Sequence, residues 1–243
     1  MKKNIKVLVI NQTPVNFFIN ILSEINKSAE LTLFCGEYDQ YFPKDINYVK
    51  SVKYNRSSSI KRISTWFLFS IHLAFYLIKE SLKYEKILIV SNPPFAIWAA
   101  LFSKSKYSLL LYDIYPNVIF RFLKQNAKYI FIFKICSFCW KIINYMIYRN
   151  ADKIFTISNS MANEINYSTI FPENIVNKIK VIYPWSSVKP PSNKSKISDL
   201  REKLIDNKPL LIIYAGNMGI THPLEYLIDS FKSISQYSKI LLI

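Results

Sequence analysis

Residues 86–112 read KILIVSNPPFAIWAALFSKSKYSLLLY. Two apolar runs, Lys86–Val90 and Leu109–Tyr112, flank a helical pattern over Ala96–Phe102 that a double proline opens. An uninterrupted apolar run is what a strand buried on both faces requires, since neither side of it meets water. A strand, a crossover helix and a second such strand make a parallel unit.

Working outward, the same alternation fills the chain. Strand-like runs fall at Lys6–Ile10, Leu31–Phe34, Lys153–Ile157, Lys180–Tyr183 and Leu210–Tyr214. Helical patterns fall at Phe17–Asn26, Thr65–Leu82, Ile130–Tyr148, Ser160–Ile165 and Pro223–Ser233. This order indicates an α/β fold of the doubly wound kind, with a parallel sheet covered on both faces.

A break follows Tyr183. Residues 184–209 hold four of the eleven prolines among many polar residues, and read as a linker with a short helix. The expected organisation is an N-terminal Rossmann-like domain over 1–185, a linker over 186–208 and a second Rossmann-like unit over 209–243. A strand–helix–strand of about 35 residues cannot cover both faces of its own sheet, so the second unit is expected to be incomplete. No internal repeat is evident.

The chain has 243 residues, 51 % of them hydrophobic, which excludes disorder. It carries 32 Lys+Arg against 16 Asp+Glu, a net charge of +16. Residues 1–190 hold 25 basic and 11 acidic residues, net +14. Between 114 and 151 there are six bases (Arg121, Lys124, Lys128, Lys134, Lys141, Arg149), no acids, and many aromatic and aliphatic residues between them. That composition fits a helix lying in an anionic membrane surface. Solubility charge and nucleic-acid binding are the rival readings, and no nucleic-acid motif accompanies the charge.

The uncharged helical stretch of 16 residues between Arg62 and Lys79 falls below the roughly 18–20 needed to span a bilayer and reads as a buried or interfacial helix. The basic N-terminus has too short an apolar run for a signal-peptide core. The three cysteines form no disulfide framework. Cys136 and Cys139 make a C-x-x-C, but without a second pair or a nearby histidine it reads as part of an apolar helix. This usage suits a reducing cytoplasm.

Ligands of open α/β sheets bind beyond the carboxyl ends of the strands. After Lys86–Val90 come Ser91 and Asn92, either part of a rigid loop or facing that cleft. After Leu109–Tyr112 comes Asp113, either a cap or turn residue or a general base for a substrate hydroxyl. After Lys153–Ile157, Ser158 or Ser160 caps the next helix, whose N-terminus can also bind an anionic or hydroxyl ligand, which makes Ser158 an acceptor or cleft candidate as well. After Leu210–Tyr214 comes AGNMGITHP (215–223), which holds two of only three glycines in the chain, Gly216 and Gly219. With Asn217 between them and Pro223 opening the next helix, this loop suits a phosphate met by backbone N–H groups. His222 is either the helix cap or a phosphate contact. No D-x-D, H-x-x-x-H or Walker A pattern is present. Glu37 and Asp39 form an E-x-D that reads as a solvated loop, so no metal site is expected.

The blocks SNPPF (91–95), LLLYDIYPN (109–117), ADKIFTISNSMANEI (151–165), VIYPW (181–185) and LIIYAGNMGITHPLEYLIDSF (211–231) resemble the family-4 (group 1) glycosyltransferases of GT-B fold. The likeness is strongest to the L-fucosamine transferase-like branch that makes bacterial O-antigen, capsule and exopolysaccharide. It implies a nucleotide-sugar donor, expected to be UDP-linked, held by the second domain without a metal. It implies a lipid-linked glycan acceptor on the first domain, a retaining course, and a peripheral position on the inner face of the cytoplasmic membrane. Gly216 and Gly219 match the donor-diphosphate loop, His222 begins the helix after it, and Asp113 falls where members place a catalytic or acceptor-contacting residue.

Two departures accompany the resemblance. Asn11-Gln12-Thr13-Pro14 replaces the glycine-rich loop after the first strand. The E-x7-E donor motif has no counterpart, so a C-terminally truncated chain, inactive alone, is expected; a split enzyme or a non-catalytic membrane-bound lobe is the alternative.

Overall fold

The computed structural model describes residues 5–14, 16–37, 42, 45–118, 127–184, 202, 204, 210–216, 224–232 and 238–242. The chain divides into two compact units, Met1–Ser187 and Val188–Ile243.

The first unit is built on seven parallel strands: β1 (Lys6–Ile10), β2 (Glu30–Cys35), β3 (Asn47–Lys50), β4 (Lys86–Val90), β5 (Tyr107–Leu111), β6 (Ile154–Thr156) and β7 (Ile179–Val181). Their order is β3-β2-β1-β4-β5-β6-β7. Strand β1 lies between β2 and β4, with Ile10 opposite both Phe34 and Ile89. The direction of winding therefore reverses at β1, and the crevice of a doubly wound sheet opens there, beyond the carboxyl ends of β1 and β4.

Helix α1 (Asn16–Ser28) covers one face, burying Phe18 and Leu22 among Val9, Leu31, Leu33 and Leu110. The opposite face carries α2 (Ser59–Glu80), a 3-10 segment (Pro94–Phe102), α3 (Ala127–Asn150) and α4 (Asn159–Ser168). Helix α2 buries Phe69, Leu73 and Leu77, a four-residue spacing that keeps one stripe of the helix against the sheet. Ala96, Ala99 and Ala100 let the 3-10 segment sit close beside it, and α3 anchors through Ile147 and Tyr148.

The second unit pairs β8 (Leu210–Tyr214) in parallel with β9 (Ser238–Leu242), joined through α5 (Glu225–Lys232), which buries Phe231. Of the expected linker, only Glu202 and Leu204 lie within the described residues.

Several elements differ from the sequence reading, three of them with a clear physical reason. Strand β3 is an edge strand of four residues, NYVK, with no apolar run to announce it. Helix α2 starts at Ser59 rather than Thr65, because the Ser58 hydroxyl accepts the Lys61 N–H at 3.2 Å and so caps a polar first turn. The segment after Pro93 is a 3-10 helix, beginning at Pro94 rather than Ala96.

Candidate functional site

The candidate site lies where β1, β4 and β5 end. Gln12, just past β1, is fully buried. Its backbone N–H donates to the Asn92 carbonyl at 3.0 Å, which ties the β1 and β4 loops together. Its side-chain amide donates to the carbonyls of Val52 and Thr65, both at 3.1 Å, and so holds the start of α2 at the same edge. Among the described residues no partner reaches the buried Gln12 Oε1 and Thr13 Oγ1 atoms.

Gly36, past β2, donates its N–H to the Gln12 carbonyl at 3.0 Å. A Cβ there would stand 2.3 Å from the Val52 carbonyl oxygen, so this close backbone approach demands glycine.

Asp113 follows β5 and keeps solvent contact. Partial dehydration raises its carboxyl pKa above the ordinary value. Among the described residues no cation pairs with it and no N–H reaches its carboxylate. A carboxylate that the described residues leave unpaired, beyond the carboxyl end of a strand, can accept a proton from a bound hydroxyl.

Next to it stands Tyr115. Burial raises its phenol pKa to about 12, the charge of Asp113 adds to the rise, and Arg62 opposes it. Arg62 on the first turn of α2 therefore shares the field of the site. The Arg62 guanidinium lies 5.6 Å over the ring of Trp66, and Trp66 stacks on Tyr54 with centroids 6.0 Å apart. Arg56 covers Tyr54 at 5.3 Å. Tyr115 stacks on Trp140 of α3 at 6.1 Å, and its carbonyl accepts the Asn144 amide at 2.7 Å. The site is thus a carboxylate next to Tyr115, with a band of aromatic rings beyond it that Arg56 and Arg62 cover at Tyr54 and Trp66.

The other residues singled out in the sequence are placed differently. Ser91 is buried, and its hydroxyl accepts the Tyr112 N–H at 2.9 Å, so it serves the rigid-loop role rather than facing the cleft. Asn92 is half-buried beside Gln12. Ser158 caps α4 by accepting the Met161 N–H at 3.2 Å. Gly216 lies past β8 in the second unit, exposed, where a Cβ would meet only the Tyr214 phenol at 3.4 Å. Asn217, Gly219 and His222 lie outside the described residues. Among the described residues no three His, Cys, Asp or Glu side chains cluster as a metal would need. Cys35 is buried, with its thiol pushed up to about 11 by that burial, while Cys136 and Cys139 are free and exposed.

Sequence reasoning passed over Gln12 as a site residue, and over Tyr54, Arg62, Trp66 and Tyr115. One available signal was the i, i+4 spacing of Arg62 and Trp66, which stacks a cation over an indole once the segment is helical.

No family model matches the chain, and no curated protein matches it. Solved structures do. The chain is similar to WaaG, a glycosyltransferase involved in lipopolysaccharide biosynthesis, at TM-score 0.54 and 10 % identity over 98 % of this chain and 63 % of that one. It is similar to a UGT transferase from Siraitia grosvenorii in complex with UDP, at TM-score 0.52 and 8 % identity over 98 % and 73 %. The glycotransferase of kitacinnamycin matches at 0.50 and 9 % over 98 % and 65 %. At such identities the likeness shows the fold, that of the GT-B glycosyltransferases. The chain spans roughly two thirds of the length of these structures.

Proposed function

We propose that the chain acts as a glycosyltransferase. It moves a sugar from a nucleotide-sugar donor, UDP-linked as in our reading of the sequence, to a lipid-linked or glycan acceptor in bacterial surface polysaccharide biosynthesis. The observation that carries this reading is Asp113, an exposed carboxylate at the carboxyl end of β5 that no partner among the described residues engages, in a fold shared with glycosyltransferases. Family 4 and its L-fucosamine transferase-like branch remain the assignment favoured by the sequence blocks.

In this mechanism the acceptor hydroxyl approaches beside Asp113. Its oxygen bonds the anomeric carbon on the face that the diphosphate leaves, as a retaining course requires, while Asp113 Oδ takes its proton. The bond from that carbon to the diphosphate oxygen breaks, and the nucleoside diphosphate leaves with the electron pair. On the sequence reading the donor diphosphate is the ligand of the 216–219 loop, with Asn217 and His222, and the reading calls for no metal. The first unit works at the inner face of the cytoplasmic membrane.

The chain purified with any co-purifying proteins retained, a panel of nucleotide sugars and a lipid extract form the test. The proposal expects sugar transfer to the lipid fraction that Asp113→Asn removes; transfer unchanged by that substitution would contradict the assigned base.

A second reading, a non-catalytic membrane-bound lobe or half of a split enzyme, is favoured by α3. Residues Phe131–Asn150 are long and apolar enough to cross a membrane by length and composition, and Phe131 is 72 % exposed. Flotation on anionic vesicles without any transfer, with or without a co-purifying chain, would favour it.

A further inference from the structure

From β3 onward the chain steps across the sheet in one direction, and right-handed crossovers then keep every connecting helix on the face opposite α1. On the α1 side, no helix among the described residues covers β5, β6 and β7. A parallel sheet is buried on both faces, so this half of the face lacks a layer.

The uncovered half is apolar and concave. A cavity of about 210 Å³ runs along it, between Ile21 and Ile25 of α1 and Leu88, Phe155, Ile157 and Ile182 of the sheet region. Ile182 is 40 % exposed. At the carboxyl end of the strands the Tyr112 hydroxyl lies on the cavity, and no partner among the described residues reaches it. Burial raises its pKa to about 12, so it stays protonated and can donate to a docked polar group.

The dimensions fit one helix. Packed helices lie about 8–10 Å apart and strands about 4.8 Å apart, so a helix laid beside α1 sits about two strands further across, over β5 and β6. Strands of this length are matched by about 12 helical residues.

The charge at the other end of the cavity selects the occupant. Lys180 is the register partner of Phe155 and shares its face of the sheet. Lys86, Lys106 and Lys153 each stand two residues before a residue of that same face, Leu88, Ser108 and Phe155. All four lysines are exposed. Asp152 beside them is already paired with Lys86 at 2.9 Å, and that hydrogen bond, with the charges of Lys86, Lys106 and Lys153, holds its carboxyl below the ordinary value. Lys106, Lys153 and Lys180 form no ion pair among the described residues. The linker after β7 is mismatched to this rim, since residues 184–196 bring Lys189, Lys194 and Lys196 and no acid. A net charge of +16 likewise opposes a second copy.

We infer that this face docks an amphipathic helix of another polypeptide, apolar along one stripe and carboxylate-bearing at the end that meets Lys106, Lys153 and Lys180. The inference deepens and rests on the split-enzyme reading, in which a second chain completes this one, and it needs no donor, acceptor or turnover.

The test titrates the full chain into a fluorescein-labelled helical peptide of about 12 residues, followed by anisotropy. The peptide carries leucines at alternating spacings of three and four and glutamates in its first turn, where they also suit the helix dipole. Wild type is expected to bind it at least tenfold more tightly than versions with serines for the leucines or lysines for the glutamates. Ile182→Asp is expected to weaken binding at least tenfold with an unchanged melting temperature. Lys106→Glu with Lys180→Glu, both at exposed positions, is expected to reverse the preference between the glutamate and lysine peptides. Absent binding overturns the proposal, as does a leucine-independent affinity. An equal loss on Lys61→Glu with Lys134→Glu, on α2 and α3, would also overturn it, because attraction to net charge would then suffice. Sedimentation showing a wild-type dimer that Ile182→Asp abolishes would assign the face to a second copy and overturn it too. Peptide docking by a chain that is active without any partner would count against the split-enzyme reading and leave the docking face standing.

Discussion

The Ser91 hydroxyl accepts the backbone N–H of Tyr112 at 2.9 Å, while the Ser91 N–H donates to the Leu110 carbonyl at 2.9 Å. The loop after β4 is thus fastened to the end of β5, one residue before Asp113. If Asp113 is the base, its loop must hold it still, because small displacements of a reacting group are costly.

Ser91→Ala strands the Tyr112 N–H in a half-buried setting. An unsatisfied buried donor costs about 1–3 kcal/mol, so the melting temperature should fall by several degrees. Turnover should fall with it, since Asp113 loses its anchor. Thermal melts and initial rates check this; an unchanged pair of values would show that the bond does not position the loop.

Asp113→Asn should reduce turnover by about a hundredfold or more, as expected when a general base is lost. Wild-type activity should decline as pH falls through the folded-state pKa of Asp113, which lies above the ordinary 3.8 because charging a dehydrated carboxylate is unfavourable. A pH–rate profile should therefore show an acid limb above the ordinary carboxylate value, absent from the residual activity of the variant.

The same residue should show an opposite effect on stability. A carboxylate whose pKa is raised on folding binds its proton more tightly in the native state, so its charge costs stability once pH exceeds both pKa values. Asp113→Asn should melt higher than wild type at neutral pH. The difference should shrink as pH falls through the raised folded value and vanish below the unfolded one. Melting curves across that range test the sign, and a variant that melts lower at neutral pH would show that the carboxylate is not a stability cost.

Two glycines should separate structural from ligand constraint. Gly36→Ala puts a Cβ 2.3 Å from the Val52 carbonyl oxygen, backbone against backbone, and should destabilise by about 1–3 kcal/mol or more. Gly216→Ala meets only the Tyr214 phenol at 3.4 Å, an ordinary contact, and should melt as wild type does. If the loop it begins receives the donor diphosphate, the same variant should bind UDP at least tenfold more weakly. Calorimetric titration decides, and undiminished UDP affinity would remove this loop from the donor site.

The sheet was largely legible because buried parallel strands are continuous apolar runs: β1, β4 and β8 match the expected bounds residue for residue. Strand β3 was not legible, since an edge strand such as NYVK buries too little to need that pattern. Nor was the first turn of α2, where the Ser58 cap rather than apolar spacing sets the start. Asp113 stood out as an acid ending an apolar strand. Its surroundings did not, because Tyr54, Trp66, Tyr115 and Trp140 meet through stacking between separate elements, which leaves no local signature. Ser91 shows the reverse case: a serine at a strand end can face a cleft or satisfy a neighbouring backbone N–H, and only the fold distinguishes the two.

The most direct measurement is sugar transfer itself. The full chain, purified with any co-purifying proteins retained, is incubated with labelled nucleotide sugars and a bacterial lipid extract, and label in the lipid fraction is counted. Our account expects transfer from one donor of the panel, matched by release of its nucleoside diphosphate and lost in Asp113→Asn. Label that stays with every donor, from a chain that still floats on anionic vesicles, would contradict it.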